Sequence, residues 1–576
     1  MRDQIRHKWL ILVIALSTIS WAQEKVKDSI DTEVVNVVKP YTPKISDAFK
    51  VKETPSISDE TTTQRKEVIY NIFSIPVAST FTPAKVRATD VQKQQKAALY
   101  DNFLSFGAGS YTTLLGEIYL NHAISRTESV GGYISHHSSQ GGIDGVLVDD
   151  QFSDSRILAN YRSSGNDINW SVDAGYRHRV FNWYGLPQPL FTSENTPEID
   201  PQHKFFTFEF GGEIEFEDLP IHDGKFRFRR FADDYDSGEN HFVATTNFEI
   251  PLRSDVLNTE VRIDYLKGDF DSEYFDQVEM KYGNFTVGAS PSYQIKEDDL
   301  TVNLGASAVY LNDSENGKNK FFIYPKVTAT YRLVNEVLIA YGGIEGGLIQ
   351  NTYHQFATTN PFVSPTLQIM PTDRQYDGYL GLKGKLSNNM SYNVRGNYKA
   401  ANDQALFLAN PAILGDDRNF VQGNSFGIVY DDIKTFSVFG EINVDVNRNF
   451  TLGIKAEYFN YTTDEQEDAW NLPDFTSSLF MDFQIDEHWF AGASLFYTGE
   501  RMDQDFVFDP FNPTLPTSVI LESFFDANAH VGYRINDRWS VYAKANNIAN
   551  QDYKRWLNYQ VQGIQFLAGA TYKFDF

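Results

Sequence analysis

Val438-Phe439-Gly440-Glu441-Ile442-Asn443-Val444-Asp445-Val446-Asn447 alternates from end to end. Val438, Gly440, Ile442, Val444 and Val446 form one set, with Phe439, Glu441, Asn443, Asp445 and Asn447 between them. A β-strand sends successive side chains to opposite faces, so this segment is a strand with one apolar and one largely polar face. The pattern resumes after Arg448, with Phe450, Leu452, Ile454, Ala456 and Tyr458 against Thr451, Gly453, Lys455 and Glu457. It returns at Phe475 to Ile485 and again at Phe525 to Ile535. Period two dominates from Asn102 to Phe576, so the chain is all-β over that range.

Two all-β architectures share this period. In a sandwich the apolar faces pack together and the polar faces meet bulk water; in a transmembrane barrel the apolar face meets lipid and the polar face lines a lumen. Strand length separates them. Globular strands run to about five or six residues, while tilted membrane-crossing strands need about ten, as here. Composition agrees. The 576 residues include 45 Phe, 32 Tyr and 8 Trp, beside a charged fraction of 22%. A fold that is aromatic on one side and polar on the other accommodates both. The expected fold is therefore a transmembrane antiparallel β-barrel.

Turns set the strand number. Short polar turns recur at Ser125-Arg126, Gly165-Asn166, Leu219-Pro220, Ser254-Asp255, Glu297-Asp298, Asn335-Glu336, Asn388-Asn389, Asn447-Arg448, Asp486-Glu487 and Asn536-Asp537. Each interval holds two strands and a longer connection. With both termini on one side, ten turns imply 22 strands; the first few turns are weakly marked, which leaves 16 to 22 open. Met390, Phe450, Trp489 and Trp539 follow turns directly, where amphipathic rings favour the headgroup level. The opposite connections, such as 351–372, 464–473 and 504–516, are longer and richer in acid, Gly and Pro. Their carboxylates read either as solvated loops or as Ca²⁺ ligands.

The chain opens on an address. Arg2, Arg6 and Lys8 precede an apolar run from Trp9 to Ile19, then Ser20-Trp21-Ala22-Gln23. A basic start, a short apolar core and small residues at the −3 and −1 positions make residues 1–22 a secretory signal, with cleavage between Ala22 and Gln23. The run falls short of the roughly 20 residues that span a bilayer as a helix. Residues 23–101 carry Pro40, Pro43, Pro55, Pro76 and Pro83 among polar residues and read as an extended segment. Residues 102–576 are the barrel.

Several functions are excluded. A net charge of −26 gives no electrostatic footprint for nucleic acid. Zero Cys rules out disulfides, thiolate metal sites and Cys nucleophiles. No H-E-x-x-H, G-x-S-x-G or phosphate loop occurs. His136 and His137 are adjacent on a strand and point to opposite faces. The chain is not expected to be an enzyme or to need a cofactor.

The most specific signal closes the sequence. Ile564, Phe566, Ala568, Ala570, Tyr572, Phe574 and Phe576 form an unbroken apolar face that ends on the last residue. Such a strand, with Phe566, Tyr572, Phe574 and Phe576 as its aromatic marks, resembles the signal that outer-membrane proteins present to the barrel insertion machinery. Just upstream stand Ala545-Asn546-Asn547-Ile548-Ala549-Asn550-Gln551-Asp552-Tyr553, then Trp556, Tyr559-Gln560 and Gly563. This order resembles the last hairpin of TonB-dependent receptors. The resemblance implies a 22-strand barrel in the outer membrane of a Gram-negative bacterium, lying in outer-membrane lipid. It also implies a ligand taken up or bound, and TonB or another envelope protein as partner. Thr32-Glu33-Val34-Val35-Asn36-Val37-Val38 is similar to the segment by which the family contacts TonB, and equally reads as an incidental β-prone stretch.

One departure stands out. The family carries a folded plug ahead of its barrel, and residues 23–101 hold no Gly-rich plug core. The inward set includes Arg395, Lys399, Glu441, Lys455, Glu457, Asp482, Arg534 and Lys573, so the lumen is polar and needs a filler. The N-terminal segment threading inward is the expectation; outer loops folding in, or a partner, would serve as well. A missing plug also suits a second role, as a scaffold in a secretion or biogenesis complex. The Gly342-Gly343 and Gly346-Gly347 pairs mark either a close chain approach or wall curvature.

Overall fold

The computed structural model describes residues 100–576, apart from Pro189, Asn195, Pro197, Asp218, Arg253, Ser254 and 508–514. Asp101–Phe576 belongs to one compact unit; a second unit, Val38–Tyr100, lies outside the described residues except for Tyr100. The signal residues Ala22 and Gln23, the segment Thr32–Val38 and the lumen-threading reading of 23–101 also lie outside them.

The body is a 22-stranded sheet in which each strand pairs antiparallel with its neighbours. It closes on itself where Asn102–Gly109 pairs with Gln565–Phe574, in a register running from Asn102↔Phe574 to Gly109↔Leu567. Closure removes both edges, the hazard of any long open sheet. All ten short turns read from the sequence fall at one end of this barrel, joining strands across two to four residues. The quoted segment lies in the strand Phe426–Asn447, which pairs with Met390–Ala409 on one side and Phe450–Thr462 on the other.

The distribution of polarity is inverted relative to a water-soluble fold. Ile323 and Leu380 face outward at 71% and 73% exposure, while Asp264 and Thr435 face inward at 2% and 0%. Val438, Ile442, Val446, Ile454, Tyr458, Val531 and Val541 continue the exposed apolar band around the wall. Only a hydrocarbon solvent makes that outer face favourable. The inward set read from the sequence shares one face: Arg395 lies across from Phe439, Glu441 from Lys455, and Glu457 from Thr476. Arg395 sits over the Tyr379 and Phe439 rings at 5.8 and 5.7 Å, and Ser437 donates to Glu457 at 2.9 Å.

At the short-turn end, aromatic rings gather below the apolar band. Trp539 lies 4.6 Å from Tyr572, Trp489 4.8 Å from Tyr533, and Phe450 5.9 Å from Phe483. Side chains pin the turns: Asp486 accepts from the amides of His488 and Trp489, and Asn536 from those of Arg538 and Trp539. These are Asx-type turns, which explains why Asp and Asn dominate the turn positions.

The glycine pairs resolve in favour of the wall. Tyr341 lies opposite Gly381, and Tyr379 opposite Gly343. A Cβ on Gly381 would fall 2.6 Å from the Tyr341 ring, and one on Gly343 2.8 Å from the Tyr379 hydroxyl. Each tyrosine covers its partner glycine, and a register shift between Glu345 and Gly347 bends the strand.

Candidate functional site: the packed mouth of the barrel

At the long-loop end the connections turn inward and build a core. Residues 350–371 carry a short helix, Tyr353–Thr359. Thr352 starts it from an extended conformation, its side chain accepting from the Gln355 amide at 3.1 Å. The helix stops at Thr358 and Thr359, whose hydroxyls bond back to His354 O and Gln355 O at 2.7 and 3.1 Å. Its apolar stripe is Tyr353, Phe356 and Ala357, all buried.

Wall residues hold both helix ends. The Glu239 carboxylate accepts from the amides of Tyr353 at 2.6 Å and His354 at 3.4 Å, and from the Tyr282 hydroxyl at 3.0 Å. At the other end the Arg179 guanidinium donates to Ala357 O at 3.2 Å. An anion at the first turn and a cation at the last match the helix dipole. The Tyr353 hydroxyl donates to Asp233 at 2.7 Å, and the same carboxylate oxygen lies 3.4 Å from His203 Nε2.

Around this latch the aromatic residues interlock. The Tyr353 ring meets Phe231 at 5.0 Å and Phe270 at 4.9 Å, both edge-on. Other loops complete the core. Trp183 donates to Phe362 O at 3.2 Å, and Asn424 donates to Trp183 O at 3.2 Å. Tyr559 stacks on Phe362 at 3.7 Å and donates to Asn424 O. Gly185 sits beneath that ring, where a Cβ would come within 2.4 Å of it, so no larger residue fits. Trp556 packs against Phe407 and Phe426.

The last-hairpin motif therefore has a structural role here. Asn547, at φ 45, accepts from the Gln551 amide at 3.0 Å and donates to Gln551 O and Gln562 O at 2.9 and 3.0 Å. Asn550 accepts from Ile564 at 2.8 Å. These side-chain amides shape the loop that carries Trp556 and Tyr559 into the mouth. The C-terminal marks lie elsewhere: Phe566 is exposed on the outer face, while Tyr572, Phe574 and Phe576 belong to the aromatic cluster at the short-turn end.

Acidic residues on strands beside the loops are anchors. Asp431 accepts from the backbone amides of Asp464, Glu465 and Gln466, fixing the start of the connection 463–474. Asp503, on the extra hairpin Arg501–Val507 with Leu515–Leu521, is fully buried and accepts from the Ala409 and Gln504 amides. Burial pushes its carboxyl up to about 6, against those hydrogen bonds. Burial, with Arg229 and Arg179 nearby, pulls the His354 imidazole down to about 2. Among the described residues no group of three or more His, Asp or Glu is placed to hold a metal ion. His136 bonds Ser155 and Ser138 on one face, while His137 meets the Phe152 ring on the other.

At this end the outer loops pack a core of their own; the expected threading of residues 23–101 into the lumen lies outside the described residues. Sequence reasoning passed over the helix and its latch, although Trp183, Tyr353, Phe362, Phe420 and Trp556, all lying in connections, carried the signal. Aromatic residues of that size do not accumulate in solvated loops. The surface of the packed mouth holds a recess lined by Pro187, Leu190, Leu414, Gln504, Asp505 and Phe506.

Comparison with known proteins bears on the fold. No family model matches the sequence, and no curated protein matches it. Solved structures do. The FrpB iron transporter from Neisseria meningitidis (F3-3 variant) superposes with a TM-score of 0.64 at 10% identity, covering 82% of this chain and 81% of its own. The siderophore receptor PirA from Acinetobacter baumannii gives 0.61 at 12%, covering 82% and 80%. The ferric-catecholate import receptor Fiu from E. coli K12 gives 0.60 at 11%, covering 82% of each chain. These are transporters and receptors, not enzymes. At 10–12% identity the likeness is one of fold: the chain shares their barrel architecture.

Proposed function

From a barrel of the TonB-dependent receptor fold in the outer membrane, we propose that this protein is a receptor that takes its ligand at the packed mouth. The observation that carries this reading is the latch. Helix Tyr353–Thr359 is docked on the wall through Glu239, Asp233 and Arg179 without any covalent tie, so the mouth is closed by contacts that can be exchanged. A ligand settling on the mouth surface around Leu414 and Phe506 would touch the segments 410–425 and 501–507. Both pack on the core that holds the helix.

Residues 23–101 would couple this movement to the cell envelope. Thr32, Glu33, Val34, Val35, Asn36, Val37 and Val38 would pair with TonB, and traction on that segment would open a path along the polar wall. The iron chelates bound by the structural neighbours are the first ligand class to test. Deletion of residues 24–38 should abolish growth on such a ligand while leaving barrel assembly intact. Unchanged uptake rejects the coupling.

A second reading rests on the sequence of residues 23–101, which holds no Gly-rich core of the kind a folded plug needs. In it the barrel scaffolds a secretion or biogenesis complex. Stoichiometric envelope partners in a pull-down, with no growth defect on any nutrient, favour this role over uptake.

A further inference from the structure

The hairpin Arg501–Val507 with Leu515–Leu521 is a two-stranded sheet of its own, separate from the barrel wall. Successive side chains of a strand alternate, so Arg501 and Asp503 share the face that meets the mouth. Arg501 is 7% exposed and donates to the carbonyls of Lys554 and Arg555, just before Trp556. Asp503 is 0% exposed and accepts from the Ala409 amide at 3.2 Å, at the end of the strand Met390–Ala409. It lies across from Val519, which packs against the mouth core. Two buried charges thus clasp one hairpin to two separate segments.

The clasp is unevenly satisfied. One oxygen of Asp503 takes the amides of Ala409 and Gln504, while the other has no hydrogen-bond partner, and neither has Arg501 Nε. Arg501 acts on the carboxylate only from a distance, and no contact ion pair forms with it among the described residues. The elements packed against it bring no other charge. Strand Met390–Ala409 presents a backbone amide, and the connection 463–474 presents the neutral Asn471 side chain. Glu467 of that connection is taken by Ser518, and Asp505 by the Phe506 amide. Arg555 and Tyr553 face Arg501 instead. A carboxylate buried with one oxygen unserved and no paired cation is pressed toward its neutral form.

We propose that Asp503 makes this hairpin a proton-operated clasp: the protonated carboxyl holds it down on the mouth, and ionisation lets it lift. Lifting also withdraws Arg501 from the carbonyls of residues 554 and 555, loosening the connection that carries Trp556 and Tyr559. The inference concerns the hairpin itself and holds whether or not the mouth takes a ligand. The docked carboxyl sits at about 6 against an ordinary 3.8. It binds its proton more tightly when docked, so docking is strongest below 3.8 and weakens as pH rises through about 6. The buried His354 imidazole acts with the opposite sign on helix Tyr353–Thr359, so acid tightens one part of the mouth while it loosens another.

The test is hydrogen exchange on the full-length protein in detergent micelles across pH 5 to 7, with the intrinsic rate divided out. Protection of residues 501–507 and 515–521 should fall about tenfold over that interval, while amides of the wall strands hold steady. Asp503→Asn keeps the oxygen that serves Ala409 and Gln504 but cannot ionise, so its protection at pH 7 should approach that of wild type at pH 5. Heat-modifiable gel mobility reports whether this variant folds. A single thiol gives a second reading in a chain that has no Cys. Val519→Cys, across from an unaltered Asp503, should react with maleimide about tenfold faster at pH 7 than at pH 5 once thiol ionisation is corrected. A wild-type slope in Asp503→Asn, protection that grows with pH, or equal corrected labelling rates would each overturn the clasp.

Discussion

The strand Gln202–Phe216 has two interiors. Near its outer end His203 and Phe205 are fully buried beneath the loops. A few residues further in, on the same face, Glu213 pairs with Lys225 at side-chain exposures of 39% and 55%. Its neighbour Ile221–Asp233 repeats the contrast, from buried Phe231 to Arg227, half-exposed against Asp173 at 3.0 Å. One continuous ladder thus supports a dry aromatic core above and a wet ionic lining below. The wall imposes only alternation; the loops decide what each stretch of lining becomes. Charges below meet water and are worth little individually, whereas carboxylates above are committed to named partners.

The comparison breaks first if the mouth is not a packed core. Tyr559→Ala removes the ring stacked on Phe362 and the bond to Asn424, and should cost about 3–5 kcal/mol locally. Hydrogen exchange should show lost protection in residues 350–371 and 410–425, with strand amides below unchanged. Uniform loss across the barrel would mean the two interiors are one cooperative unit.

Acid sharpens the contrast. His354 is held neutral by burial, so the unfolded loop gains a proton below its ordinary value near 6.5 while the docked helix does not. Stability from this group is present above pH 6.5 and lost as pH falls toward about 2. Between pH 6.5 and 5 the loss is on the order of 2 kcal/mol. Proteolysis of segment 350–371 should rise over that interval, and His354→Gln should flatten the profile.

The smallest effect belongs to the lower lining. Lys225→Gln removes an exposed pair with Glu213 and should change thermal stability by less than about 1 kcal/mol. A larger drop would show that the lower interior is as tightly committed as the mouth.

Legibility in the sequence followed the range of the interactions. Strand faces and short turns are local: alternation around Val438–Val446 and Asp or Asn at Asp486 and Asn536 set wall and turn without reference to distant residues. The mouth is not local. Tyr353 becomes buried because Asp233 and Phe270 wait on other strands, and Tyr559 because Phe362 and Gly185 come from two other loops. Acid on a strand near the mouth reads as solvated until its partners are known, as with Asp431, which collects three amides from a loop that sequence alone leaves open.

The connection that brings Trp556 and Tyr559 into the mouth runs directly into Gln565–Phe574, the strand that seals the cylinder against Asn102–Gly109. The base of that loop is itself a hairpin, Trp539–Asn546 against Gln565–Phe574, so one strand carries the seam on its far edge and the two aromatic anchors of the mouth just before its start. A change that slips its register by one residue would misplace seam and anchors together.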